Sequence, residues 1–300
     1  MNKRRLALVT FRDHPELTDS DRLLVEPLHR NDVRTFAVPW DDPAIDWASF
    51  DLLVLRSCWD YHLRSGEFRD WIERMAAMKV SLWNLPRAVL WNMDKIYLRD
   101  LEQAGVPIVP TVWLERGSQS SMEEILERRG WAEAVVKPRI GASAFGAWQT
   151  RSEAARDHEV QFRAQQMQAG LMVQKLVREI AGGEWSIVFF RGEYSHAVLK
   201  KPGAGQIFSQ EETGGSVNAA PIPARLVEQA AHVLRSAVAL TLPPGDMFLY
   251  ARVDGIDVEG QLVLMELEII EPDLYLDRVP QSAERFAQAI IELSTGQKHR

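Results

Sequence analysis

The residues best suited to chemistry lie close together near the C-terminus. Glu266 and Glu268 sit inside an apolar run, Leu262-Val263-Leu264-Met265-Glu266-Leu267-Glu268-Ile269-Ile270, and Tyr250-Ala251-Arg252-Val253-Asp254 precedes it. Side chains alternate faces along a strand, so Glu266 shares a face with Glu268, and Arg252 with Asp254. The stretch between, from Gly255 to Gly260, has glycine at both ends and reads as a hairpin loop. A loop centred near Val258 or Glu259 sets Arg252 close to Glu266, with Asp254 diagonal to it. Three carboxylates and an arginine then meet on one sheet face. Charges among apolar neighbours need a partner or a metal ion. Hard divalent cations such as Mg²⁺ take oxygen ligands of this kind, shared with substrate phosphates. Taken alone, the pattern fits such a metal site and a salt-bridged amphipathic strand equally well.

A sheet must hold these residues, and the rest of the chain alternates strands with helices. Leu6–Thr10, Val33–Val38 and Asp51–Leu55 read as short buried strands. Helices are expected over 19–30, capped by Asp19 or Ser20, and from Ser65, where Phe68, Trp71, Ile72, Met75 and Met78 keep helical spacing. This α/β alternation implies a parallel sheet covered by helices on both faces, with ligands beyond the carboxyl ends of its strands. Arg56 and Tyr61 follow such an end. Arg56 suits either a substrate carboxylate or a local ion pair with Asp60. Further on, Asp94 caps a helix ending at Ala104-Gly105, and Ser121 with Glu124 forms a capping box. Strands follow at Ala134–Pro138 and Leu171–Gln174, then a hairpin around Gly192-Glu193. Helices are expected over 224–240 and 282–293.

Composition narrows the function classes. A chain of 300 residues, 46% hydrophobic, has material for two or three lobes. A net charge of −7 speaks against a general nucleic-acid binder. Cys58 is the only cysteine, which excludes an intrachain disulfide and a cysteine zinc site. The apolar run from Leu6 to Val9 is too short for a signal peptide, and no stretch reaches membrane-spanning length, so a cytoplasmic protein is expected. Most of the ten tryptophans are expected to pack. The histidines, His196 among them, lack His-x-x-x-His spacing and read as packing residues. There is no Gly-Lys-Ser/Thr, no Gly-x-Gly-x-x-Gly after the first strand and no Gly-x-Ser-x-Gly elbow.

Lys137 ends a strand just before Gly141-Ala142-Ser143-Ala144-Phe145-Gly146, where a lysine and loop amides could meet a phosphate. Lys200-Lys201-Pro202-Gly203-Ala204-Gly205, with Thr213-Gly214-Gly215-Ser216, reads as a solvated hairpin end or as a basic lid over anionic ligands.

In this order the pieces resemble the ATP-grasp ligases, from about Asp94 to Asp277. The signature is similar to that of the D-alanine–D-alanine ligase and glutathione synthetase relatives. Trp40-Asp41-Asp42-Pro43, the stretch Asp51 to Tyr61, and Glu268-Ile269-Ile270-Glu271-Pro272-Asp273-Leu274-Tyr275 resemble the O-ureido-serine cyclo-ligase (cycloserine synthetase) group most.

The resemblance implies an N-terminal parallel α/β domain (1–93) and two ATP-clasping lobes (94–178 and 179–300). It implies that Lys95 and Lys137 touch ATP phosphates and that Gly141, Ser143 and Gly146 belong to a phosphate-covering loop. Gln174, Lys175, Leu176 and Val177 resemble the adenine hinge, with Gln174 near the exocyclic amine. Glu184 resembles the ribose-binding glutamate. Asp254, Glu266 and Glu268 would hold a pair of Mg²⁺ ions, with Mn²⁺ a possible substitute, and Arg252 would steady an oxyanion. Relatives commonly carry asparagine where this chain has Glu268. Arg56, Tyr61, Lys200 and Glu271 are candidates for substrate contact. The activity implied is ATP-dependent ligation of an amino-acid-like molecule through an acyl-phosphate, by cyclisation or between two molecules. A phosphotransferase or a non-catalytic nucleotide binder would use the same ATP half. Neither nucleic acid nor membrane is an implied partner, and a homodimer is compatible.

Overall fold

A computed structural model describes residues 3–142, 144–203 and 214–295. Ser143, Ala204, Gly205 and Thr213 lie outside the described residues. The strands form three sheets. The first holds β1 (Arg4–Thr10), β2 (Val33–Pro39), β3 (Leu52–Leu55) and β4 (Leu82–Trp83) in the order β2-β1-β3-β4, all parallel. Alternate residues of β1 enter different cores. Ala7 and Val9 pack with Leu53, Phe68, Trp71 and Ile72, while Leu6 and Leu8 pack with Phe190, Tyr250 and Phe286. The parallel sheet is thus buried on both faces, as its continuous apolar strands require.

The helix expected over 19–30 is two short helices, Asp19–Arg22 and Val25–Arg30. The Pro27 ring would clash with the carbonyl four residues earlier, which breaks a continuous helix near Leu23. The cap is Thr18, whose hydroxyl accepts from the Asp21 amide at 3.0 Å.

The second sheet holds β5 (Thr111–Leu114), β6 (Glu133–Pro138), β7 (Trp148–Arg151) and β8 (Leu171–Lys175) in the order β5-β8-β6-β7, all antiparallel. The helix Met122–Arg129 covers it, started by the Ser121/Glu124 capping box and stopped by Gly130. The third sheet holds β9 (Glu184–Phe190), β10 (Glu193–Lys201), β11 (Ser216–Ala219), β12 (Tyr250–Val258) and β13 (Gln261–Glu268) in the order β11-β10-β9-β12-β13. The helices Ala224–Thr241 and Ser282–Thr295 follow the expected spans.

Two hairpins of the third sheet turn on two residues with positive φ, Arg191-Gly192 (49° and 83°) and Glu259-Gly260 (52° and 91°). These are type I′ turns, whose twist suits the strands they join. The expected six-residue loop is therefore two residues, because β12 continues through Val258. The register also differs from expectation. Arg252 faces Glu268, and Asp254 faces Glu266. A β-bulge causes this, since Met265 has no partner between the pairs Asp254–Glu266 and Gly255–Leu264. Without that extra residue Arg252 would face Leu267, and both glutamates would turn to the opposite face. Gly255 makes room for the bulge: a Cβ there would lie 2.9 Å from the Val263 carbonyl oxygen and 2.8 Å from Leu262 Cδ1.

β13 is an edge strand, and its outer polar groups are covered individually. Leu264 exchanges backbone bonds with Pro107 and Val109, at 2.9 and 3.2 Å. The Leu267 amide donates to the Tyr97 hydroxyl at 2.9 Å, while Asn92 donates to the Leu267 carbonyl at 2.8 Å and accepts from the Ile269 amide at 3.2 Å. Gly255→Ala should therefore destabilise the protein by about 1–3 kcal/mol in urea unfolding. It should also lower activity, because relieving the clash shifts the bulge that aligns the acidic row.

Candidate active site

Four strands of the third sheet turn a polar row to the same side, and the register puts its members within reach of one another. Lys200 pairs with Glu184 across β10 and β9, and its Nζ lies 3.1 Å from both a Glu184 and an Asp254 carboxylate oxygen. Ser186 donates to Asp254 at 2.7 Å. Arg252 grips Asp254 with Nε and Nη2, at 3.0 and 2.8 Å, and also pairs with Glu268 through Nη2. Nη1 donates to the Asp273 carbonyl at 3.0 Å.

Across the cavity, Lys95 Nζ lies 2.8 Å from Glu266 Oε1 and 2.5 Å from the Gly141 carbonyl. A two-point ion pair between Arg139 and Asp94, at 2.9 and 2.7 Å, holds the Lys95 backbone, whose amide donates to the Arg139 carbonyl at 2.9 Å. Lys137 donates to the Gln174 amide oxygen at 3.0 Å, and no ion pair joins it to a carboxylate among the described residues.

These groups line one cavity of about 740 Å³ between the second and third sheets. Lys95, Lys137, Gly141, Gln174, Lys175, Leu176, Val177, Glu184, Lys200, Arg252, Asp254, Glu266 and Glu268 all lie on its wall, as do Tyr61 and Glu271. Gly146 belongs to the same loop but not to the wall, and its carbonyl accepts from Gln165 at 2.9 Å. Ser143 is outside the described residues. The Gln174 side chain is committed to Lys137 and, at 3.2 Å, to Thr111. The Leu176 amide donates to the Glu133 carbonyl at 3.1 Å, so what Leu176 offers a ring is its carbonyl.

Arg56 is a correction. It is 2% exposed and does not line the cavity. Its Nε lies 2.8 Å from Asp21, and its Nη2 donates to the Pro272 carbonyl at 3.0 Å. Asp60, the other partner considered, is taken by Arg64 and by the Trp40 indole at 2.9 Å. The chain folds Asp21 rather than Asp60 onto the end of β3, and sequence distance carries no sign of that. Sequence reasoning missed Asn92, Arg139, Trp59, Asp273 and Tyr275. The last three stand inside quoted phrases, but their roles come from long-range hydrogen bonds.

Burial dominates the electrostatics. It lowers the Lys137 ammonium, aided by Lys95 and Lys200, although Glu266 opposes the shift. Burial would also lower Lys95, but Glu266 together with Glu268 and Glu271 outweighs it and the net shift is upward. Burial pushes the Asp254 carboxyl up, while Arg252 and Lys200 hold it below the usual range. Glu268 is raised, by burial first and then by Asp254 and Glu266, because its arginine is shared. Burial pushes Glu271 up to about 7.

The D-cycloserine synthetase DcsG N-terminal domain family matches residues 6–84. The cycloserine biosynthesis protein DcsG of Streptomyces lavendulae is 31% identical over 270 residues, covering 84% of this chain and 86% of that protein. The chain belongs to the cycloserine synthetase (DcsG) family of ATP-grasp ligases. The DcsG crystal structure superposes with a TM-score of 0.86 at 28% identity, over 97% of this chain and 99% of that one. The D-alanine–D-alanine ligase of Bacillus anthracis, also solved with ATP, shares the fold at a TM-score of 0.70 and 16% identity, with 98% of each chain covered. No helix among the described residues is long and apolar enough to cross a membrane.

In this cavity Glu268 is a carboxyl whose ionisation burial and the neighbouring carboxylates oppose. Its raised carboxyl stabilises the fold below the ordinary carboxylate range of about 4.3, and that contribution is lost as pH rises above it. In metal-free buffer, Glu268→Gln should therefore be more stable than the parent at pH 9, with the difference closing as pH falls below about 4.3. Thermal melts across pH check this.

Proposed function

We propose that the protein is an ATP- and Mg²⁺-dependent ligase that activates the carboxylate of an amino-acid-derived substrate as an acyl-phosphate, then closes it on its own nitrogen as in cycloserine formation. One observation carries this reading: two half-buried lysines, one without a carboxylate partner among the described residues, face the acidic row across a single cavity. An anion entering that gap repairs the electrostatics on the lysine side. Phosphate oxygens would offset the burial that lowers Lys137. Lys95 can exchange Glu266 for a phosphate. The hinge at Lys175, Leu176 and Val177 and the apolar walls at Val135 and Met265 suit a flat ring. Glu184 is the candidate for the ribose, Gly141, Ser143 and Gly146 for the loop over the phosphates, and Gln174 acts through Lys137.

The donor set fits Mg²⁺. Asp254, Glu266 and Glu268 offer hard oxygens on one face, and the raised Glu268 marks negative charge that Arg252 alone does not balance. Among the described residues no three His, Cys, Asp or Glu lie close enough to hold a metal unaided, so phosphate and water oxygens would have to complete the shell. Bound by these carboxylates, Mg²⁺ would neutralise phosphate charge during transfer.

The chain's own residues do the rest. The lysines draw the phosphates into line with the substrate carboxylate, and no side-chain nucleophile is needed. Arg252 has five N–H donors, and one Nη1 hydrogen is not engaged among the described residues. That free donor makes it the candidate to stabilise the oxyanion formed when nitrogen attacks the acyl carbon. Closing residues 141–146 over the cavity protects the acyl-phosphate from water. The three sheets support a division into 1–93, 94–178 and 179–300.

Incubation with Mg-ATP, O-ureidoserine and a panel of amino acids, read as ADP, free phosphate and product mass, separates cyclisation from intermolecular joining. Phosphorylated product without free phosphate would indicate phosphotransfer. Glu266→Gln should keep the fold and lose at least about 10²-fold in turnover; near-normal activity would overturn the metal assignment.

A further inference from the structure

The chain leaves β13 at Glu268 and runs on without a ladder partner, yet its carbonyls are not left bare. Six in succession, from Ile269 to Leu274, each accept from a side chain brought from elsewhere. Asn84 donates to Ile269 at 2.7 Å, the Tyr250 hydroxyl to Ile270 at 2.6 Å, and the Trp59 indole to Glu271 at 3.2 Å. Arg56 donates to Pro272 at 3.0 Å, Arg252 to Asp273 at 3.0 Å, and His196 Nε2 to Leu274 at 2.8 Å. This strap is fixed by donors from the segments that follow strands of the first sheet and from the third sheet, including the acidic row, so the side chains it presents to the cavity start from a backbone held in place before any ligand arrives.

Two of these are carboxylates, Asp273 and Glu271, and Glu271 is the one that stands out. It is 8% exposed and lines the cavity. Every other described carboxylate on the wall has a donor: Glu184 and Asp254 have Lys200, Glu266 has Lys95, Glu268 has Arg252, and Asp273 takes the Tyr275 amide at 2.8 Å. Glu271 is reached only by its own backbone N–H among the described residues. Lys95 and Arg252 act on it through space, but their contacts go to Glu266, Asp254 and Glu268. A buried carboxylate with no cation in contact is costly, and a cation arriving in the cavity would relieve that cost.

We propose that Glu271 is the counter-ion for the ammonium group of the amino-acid substrate, and that the clamped strap makes a free cationic amine a condition of binding. The inference rests on the ligase reading and adds the group by which the substrate is chosen. The location favours an ammonium over a second metal. Glu271 lies past the end of β13, where Trp59 and Tyr61 add aromatic wall, and aromatic surface suits a weakly hydrated organic cation. Burial pushes the Glu271 carboxyl up to about 7, and an arriving ammonium brings it back down. Arg56 and Trp59 then act as positioning residues.

The test is equilibrium binding, with a nonhydrolysable ATP analogue and Mg²⁺ present, of O-ureidoserine, serine and alanine, each beside its deamino counterpart. The parent should bind at least one amine-bearing member on the order of 10- to 100-fold more tightly than its counterpart. Glu271→Gln should lose that discrimination while binding Mg-ATP within about 2-fold of the parent, and Glu271→Asp should recover part of it. Steady-state kinetics on any member that turns over should show the Glu271→Gln defect in KM rather than kcat. The inference is overturned if Glu271→Gln discriminates as the parent does, if it loses Mg-ATP binding, or if kcat falls with KM unchanged. Equal binding of amine and deamino compounds by the parent also overturns it. That result leaves the ligase reading standing, because ATP turnover with a carboxylate tests the reading separately.

Discussion

Arg252 is the charge on which the arrangement depends. It is buried in a sheet with two carboxylates beside it, and each of the three would be intolerable there without the others. Its Nε and Nη2 neutralise Asp254, Nη2 also serves Glu268, and Nη1 reaches out to the Asp273 carbonyl. One guanidinium thus ties the acidic row to the strap that follows it. A lysine could not do this, because it has three N–H donors and no fork, whereas Arg252 makes four bonds, two of them a two-point grip on Asp254. The sharing has a consequence: Asp254 has Lys200 as well as Arg252 and is held down, while Glu268 has only its share of Arg252 and is raised by burial. The site is built with charge to spare on its acidic side and with a lowered lysine on the other.

The backbone beyond β13 follows the same logic. An extended segment inside a protein must satisfy its polar groups without a ladder, and here six carbonyls are met one by one by side chains. The donors come from residues as distant in sequence as Arg56, Trp59, Asn84, His196 and Arg252. Burial holds His196 near 4, so it stays neutral and donates through Nε2. A segment held so completely belongs to a site where position matters more than adaptability.

The chemistry-bearing residues were legible because charges in apolar strands are conspicuous. Glu266, Glu268, Arg252 and Asp254 stand out against Leu, Val and Ile, and alternation assigns them to faces. Strong local signals also carried through: the Ser121/Glu124 capping box, the apolar spacing of Phe68, Trp71, Ile72 and Met75, and the continuous apolar strands of the first sheet. Expectations failed where a distant residue competed with a near one. Arg56 took Asp21 in place of Asp60, and Thr18 took the cap in place of its neighbours.

Residue types and their periodicity were sufficient to name the acidic row, Lys137 and the α/β layers, because burial preference and alternation are local properties of the chain; Lys95 was named only through the resemblance to the ATP-grasp ligases. They were not sufficient to say which charges touch. The Arg252–Glu268 pairing depends on one unpaired residue, Met265, and on the bare Cα of Gly255 that lets the strands close around it. A bulge is settled by packing across strands, and no run of residues along one strand encodes it. For the same reason Glu271 looked like any other acid until the fold matched every neighbouring carboxylate to a donor and left that one facing the cavity.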